Sequence, residues 1–200
     1  MKLQALASQI NPHFLYNTLD TIVWMAEFNE SKRVVEVTKS LATYFRLALN
    51  NGNEQIQLKS EIEHVRQCLF IQQQRYGDQL NYRIEELASY DDYLVPKLIL
   101  QPLVENAIYH GIKEVSRPGE IRLRVYEDDH HLVISVYDNG QGFDSIMKEE
   151  ARDKLVRQGG IGLSNVDKRL KLQFGEAYHM EWESQPDQFT EIRLYLPLNL

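Results

Sequence analysis

A proline inside an amphipathic helical pattern constrains the start of this chain more than any other feature. In Gln9-Ile10-Asn11-Pro12-His13-Phe14-Leu15-Tyr16-Asn17, Pro12 removes one helical hydrogen bond and crowds the carbonyl of Ser8. In a helix interior that costs roughly 3 kcal/mol. The pattern therefore predicts a bend with His13 on it, and Asn11 is pushed out of helical backbone. Leu3, Leu6 and Ile10 lead into it, and Phe14, Leu19, Ile22, Val23 and Met25 follow at helical spacing. Asn29-Glu30-Ser31 offers a break with Ser31 as N-cap. Val34, Val37, Leu41, Tyr44 and Ala48 then form a heptad seam on a second helix. Two such helices cannot bury both apolar faces alone, so pairing with a second copy into a four-helix bundle is expected.

Asn50-Asn51-Gly52-Asn53 stops the second helix, and the domain boundary is placed there, giving units 1–52 and 53–200. Beyond it, Leu58, Ile62, Val65, Leu69 and Tyr76 mark one face of a helix ending at Gly77. Strands are predicted at Leu80 to Glu85, Glu120 to Tyr126, His131 to Tyr137, His179 to Ser184 and Phe189 to Leu196. Helices are predicted from about Leu98 to His110 and from Leu163 to Phe174, with a charged, irregular stretch from Gly140 to Gln158. This order reads as α+β, with helices on one face of a mixed sheet.

The net charge of -7 argues against broad binding to nucleic acid or anionic lipid, since both need a basic footprint. The single cysteine, Cys68, excludes an intramolecular disulfide framework and reads as a small buried hydrophobe. No stretch approaches the ~18 consecutive apolar residues of a membrane span. The helical pattern begins at Leu3 with no capping residue ahead of it, which predicts a fragment of a longer protein.

Three stretches carry chemistry. In Gln101-Pro102-Leu103-Val104-Glu105-Asn106-Ala107-Ile108-Tyr109-His110-Gly111, Leu103 and Ala107 share one side while Pro102, Asn106 and His110 share another. Asn106 is then either one oxygen ligand of Mg²⁺ or a helix residue bonded to a neighbouring loop. Asp138-Asn139-Gly140-Gln141-Gly142 ends a strand. It reads either as a tight turn or as a carboxylate for an exocyclic amine, with glycines that admit a ligand close to the backbone. Gly159-Gly160-Ile161-Gly162-Leu163-Ser164-Asn165 opens a helix, where amide donors and the helix dipole favour an anion. Neither a P-loop nor a dinucleotide fingerprint fits this last stretch.

In the order Asn, Asp, Gly-x-Gly these pieces resemble the N, G1 and G2 boxes of the ATPase superfamily that gyrase, mismatch-repair ATPases and histidine kinases share. The resemblance spans Leu58 to Leu200 and implies a Bergerat-type α/β sandwich. It implies ATP on Asn106, His110, Asp138, Gly140, Gly142, Gly160, Ile161, Gly162 and Leu163, with Mg²⁺ on Asn106. Asn139 to Lys154 would form a lid, and Arg152, Lys154, Arg157 and Arg169 are candidate phosphate contacts or merely a solvated face. Residues 1–52 are similar to the phosphoacceptor hairpin of LytS-like and YesM-like sensor histidine kinases, bacterial two-component proteins in which the histidine at the position of His13 takes the phosphoryl group.

Together the resemblances imply ATP-dependent phosphorylation of His13, relay to an aspartate on a response regulator receiver domain, a homodimer, and a cytoplasmic location in a membrane-anchored parent. Phe14 stands where many histidine kinases place an acid, so Asn17, or a carbonyl freed by Pro12, is the candidate partner of the imidazole. Asn17 is also the candidate for orienting water in regulator dephosphorylation. Pro102 stands where other superfamily branches carry the water-activating carboxylate, and Glu105 is the nearby candidate base. The alternatives are an ATP-driven conformational ATPase and a degenerate dimeric ATP-binding module.

Overall fold

The computed structural model describes residues 12–49, 54–143 and 160–198. The upstream side of the bend predicted at Pro12 lies outside them. So do the boundary at 50–53 and the charged stretch holding Arg152, Lys154 and Arg157.

Helices α1 (Pro12–Glu27) and α2 (Ser31–Ala48) form the hairpin. Asn29 turns the chain in left-handed backbone at φ 58°, a conformation asparagine tolerates. The cap falls on Glu30, not on Ser31, which is already helical. Glu30 makes no side-chain cap bond and pairs instead with Arg33 at 2.6 Å.

Helix α3 (Leu58–Tyr76) carries two buried faces. Leu58, Ile62, Val65 and Leu69 join the core of the sheet. Cys68 and Ile71 join Phe14, Met25, Val37, Leu41 and Tyr44 in a second core. The stripe on α2 that the sequence assigns to a bundle seam is thus buried inside the chain, against α1 and α3. What remains open is the outer side of α1 and the turn after it, where Tyr16, Val23, Trp24 and Phe28 are each more than half exposed.

The five-stranded sheet is ordered β2-β4-β5-β7-β6, with β2 Leu80–Glu85, β4 Gly119–Asp128, β5 His131–Asp138, β6 His179–Gln185 and β7 Phe189–Pro197. Only β2 and β4 pair in parallel; the other neighbours are antiparallel. Strands β1 (Gln55–Gln57) and β3 (Leu94–Pro96) form a separate two-stranded ribbon. On β4, Gly119, Ile121, Leu123 and Val125 alternate inward, the period of a sheet covered on one face. The cover is α3, α4 (Gln101–Asn106) and α5 (Gly160–Phe174), which contribute Leu103, Val104, Leu163, Val166 and Leu170.

Candidate active site

The segment from Gln101 to Gly111 is the surface on which the other two motif stretches close. Pro102 sits in the first turn of α4, where its missing N–H costs nothing. After Asn106 the backbone widens into one π-helical turn over Ala107–Gly111, a feature enriched at functional sites. At that end, a Cβ added to Gly111 would overlap the Asp138 carboxylate, and one on Gly140 would overlap the Gly111 backbone. At the other end, a Cβ on Gly162 would stand 3.1 Å from Pro102 Cβ. Asn106 lies between. It is half-buried, and its side chain has no hydrogen-bond partner among the described residues.

Asp138 is buried at the end of β5, and its carboxylate accepts the Gly140 N–H at 2.9 Å. Burial pushes its pKa up to about 7, against the smaller lowering effect of that N–H. The turn reading of Asp138-Asn139-Gly140 gives way to a fixed loop. Asn139 Oδ1 accepts the Glu120 N–H at 2.6 Å, and Asn139 Nδ2 donates to the Pro118 carbonyl at 3.2 Å. Asn139 is therefore anchored to β4 and is no part of a free lid. Gly142 takes φ +56° against the Gln185 carbonyl, a position closed to a side chain. Gln141 donates to the His110 carbonyl at 2.6 Å, while the His110 side chain is exposed.

The third motif differs from its expected form. Helix α5 is described from Gly160, so Gly160, Ile161 and Gly162 are helical backbone instead of a loop ahead of Leu163. Gly162 lets α5 approach Pro102 closely, a steric role for that glycine. Arg169, a candidate phosphate contact, acts electrostatically on Glu61 and Lys97.

His13 lies exposed on α1, with Asn17 Nδ2 at 3.0 Å from Nδ1 and 3.2 Å from Nε2. Its ring centroid is 6.2 Å from that of Tyr109, in the π turn. Glu105 accepts from Gln101 Nε2 at 2.9 Å, and Gln101 Nε2 also donates to the Tyr44 hydroxyl at 2.7 Å. The Glu105 charge acts on Tyr44, Cys68 and Tyr109, which places it on the side of α4 turned toward the hairpin.

Two further residues shape the site. Glu61 accepts the backbone N–H groups of Leu98 at 2.5 Å, Ile99 at 3.0 Å and Leu100 at 3.2 Å, pinning the strap that leads into α4. Burial raises its pKa despite those three donors. A carboxylate within an apolar helical stripe, between Leu58 and Val65, is a signal that could have found it. Arg117 donates to the carbonyls of Asn139 at 2.7 Å, Gly140 at 2.9 Å and Asp187 at 2.7 Å, closing the loop after β5. Nothing in its local sequence marks it.

A mixed sheet covered by helices, with both glycine motifs closing on one helical segment, defines an α/β sandwich attached to a helical hairpin. The family model described as histidine kinase-, DNA gyrase B-, and HSP90-like ATPase matches residues 91–200, and the histidine kinase model matches residues 1–80. The chain belongs to this ATPase family. It is 35% identical to the sensor histidine kinase YesM of Bacillus subtilis, over 98% of this chain and 33% of that protein. It is 32% identical to the sensor histidine kinase BtsS of Escherichia coli, with the same two coverages. The chain therefore spans about a third of the length of these relatives. Among solved structures, the Acinetobacter baumannii histidine kinase AdeS superposes with a TM-score of 0.53 at 13% identity, over 99% of this chain and 95% of that one. The histidine kinase domain of the Erythrobacter litoralis EL346 blue-light activated histidine kinase gives 0.53 at 15% identity, over 98% and 93%. These likenesses concern the fold.

Proposed function

We propose that this chain is the catalytic region of a sensor histidine kinase that transfers the γ-phosphoryl group of ATP to His13. The supporting observation is the nearness of His13 to Tyr109, in the turn that directly follows Asn106. The donor set suits the nucleotide. Asp138 is a buried acceptor for the adenine amine, and the Asn106 amide oxygen suits Mg²⁺. Bound Mg²⁺ would neutralise phosphate charge. His110, Gly140, Gly142 and the α5 segment Gly160 to Leu163 are the remaining proposed nucleotide contacts.

In the transfer, the bond from phosphorus to the ADP oxygen breaks and a phosphorus–nitrogen bond forms at the imidazole. Positioning and charge neutralisation carry most of such a step. The attacking nitrogen needs its lone pair free. Asn17, whose amide lies 3.0 Å from one ring nitrogen and 3.2 Å from the other, is the proposed partner that fixes the tautomer. Glu105, one turn before Tyr109, is the nearest proposed base for the released imidazole proton.

The phosphoryl group then passes to a receiver-domain aspartate of a response regulator, and Asn17 orients water for its removal. Loss of regulator dephosphorylation in Asn17→Ala checks that role. The outer apolar side of α1 fits a second copy of the chain as a homodimer. Units 1–52 and 53–200 are the proposed domains, in a cytoplasmic region of a membrane-anchored parent. Among the described residues, no helix is long and apolar enough to cross a membrane.

Incubation with γ-labelled ATP and Mg²⁺ tests the assignment. Acid-labile, alkali-stable label on the protein, lost in His13→Ala, is expected; label that survives this substitution would sink it.

A further inference from the structure

The reading of His13 as phosphoacceptor leaves open which copy of the chain supplies the nucleotide. We propose that His13 is served by the ATP site of its own chain, with Tyr109 as the positioning residue on which its ring docks.

The hairpin is fastened to α3 by contacts within one chain, and through Tyr44 to α4, the helix that bears Asn106. Phe14, Val37 and Tyr44 share a core with Cys68 and Ile71 of α3. Tyr44 stacks on His64 at 4.3 Å between centroids, and its hydroxyl accepts from Gln101 in the first turn of α4. Arg33 Nε donates to Gln74 Oε1 at 3.1 Å, tying the far end of the hairpin to α3. Service from the partner copy would require this apolar seam to open or to re-form between chains.

Tyr109 is itself held. Its hydroxyl accepts from Gln72 Nε2 at 3.2 Å, and Lys113 Nζ lies 4.4 Å from its ring centroid. The ring that meets His13 at 6.2 Å is thus a fixed surface, three residues beyond the asparagine proposed to hold the metal. Three helical residues advance only about 5 Å along the axis.

Subunit exchange tests the proposal. A tagged wild-type chain is mixed with increasing excess of an untagged His13→Ala/Asn106→Ala chain, and label per tagged chain is followed. An unchanged value is expected; a fall in proportion to mixed dimers overturns the proposal. Absence of label in undiluted wild type would overturn the phosphoacceptor reading, and this one with it.

A nucleotide-free readout is independent of activity. His13→Cys/Tyr109→Cys in a Cys68→Ala background, treated with a short bismaleimide, is expected to give an intrachain product of monomer size on a denaturing gel. A dimer-sized product, or none, overturns the proposal. Tyr109→Leu is expected to lower the autophosphorylation rate at saturating ATP about tenfold or more, as small misplacements of reacting groups do. The KM for ATP stays constant and Tyr109→Phe restores the rate. A rate unchanged in Tyr109→Leu overturns the role of Tyr109.

Discussion

On the side of α3 that meets the sheet, Leu58, Ile62, Val65 and Leu69 are aliphatic and at most 2% exposed. On the side that meets the hairpin, Cys68 and Ile71 are joined by His64, which stacks on Tyr44 and has no hydrogen-bond partner for either ring nitrogen. The first interface is a hydrophobic core in the ordinary sense, and the buried carboxylate beside it, Glu61, is held by three backbone N–H groups. The second buries polar groups whose state depends on pH and on neighbouring bonds, which suits a joint that must work and not only hold. Asp138 supplies a counterpart within the ATP domain, because burial moves it in the opposite sense. His64 is pushed down to about 4, by burial and then by Lys97, while Asp138 is pushed up to about 7.

Substitutions on the two sides of α3 separate the roles. The largest effect is expected from Leu69→Ala, which is fully buried against the sheet. It should cost about 2–5 kcal/mol and lower the melting temperature of the whole chain, read by calorimetry. Should Leu69→Ala leave the melting temperature in place, the ranking of the two interfaces fails.

Asp138→Asn comes next. Loss of a charge-assisted hydrogen bond worth about 1.5–3 kcal/mol weakens ATP roughly 10- to 100-fold, measured by titration calorimetry. Its effect on the nucleotide-free chain is opposite. Folded Asp138 keeps a proton between its ordinary value of 3.8 and about 7 that the unfolded chain releases. Stability therefore falls as pH rises through that window, by at most about 1.4 kcal/mol per pH unit. The variant should lack this slope and melt higher than wild type at pH 8.

His64→Phe tests the hairpin joint with the reverse sign. Between about 4 and 6.5 the unfolded chain holds a proton that folded His64 rejects. Wild type then loses stability as pH falls through that range, and the phenylalanine variant should not. Melting curves at pH 5 and pH 8 decide it; parallel behaviour of the two proteins would show that the joint is insensitive to this group. The smallest effect belongs to Leu172→Ser, at a position 90% exposed, which should stay within about 0.5 kcal/mol of wild type in a denaturant titration.

Alternating side chains made the five sheet strands legible, because a half-covered sheet repeats every two residues. The ribbon Gln55–Gln57 with Leu94–Pro96 escaped, since three residues are too few to show a period. The parallel pairing of β2 with β4 also lay beyond local pattern, being fixed by contacts across some forty residues. For α2, the apolar stripe was plain but its partner was not. Periodicity says that a face must be buried and is silent on whether another copy or another part of the same chain buries it. The site followed the same division. Asn106, Asp138 and the glycines stood out as motifs, whereas Tyr109, Arg117 and Glu61 act through distant backbone or rings.

The π turn at Ala107–Gly111 fixes a count as well as a shape. It takes one more residue per hydrogen-bonded loop than the α-helix before it. With that winding, Tyr109 meets His13 while Gly111, two positions on, receives the Asp138 carboxylate. Deleting a single residue here would rewind the turn and rotate one of those contacts away from its partner. The distance along the chain between Asn106 and Gly111 is therefore as strict a requirement as the identity of either residue.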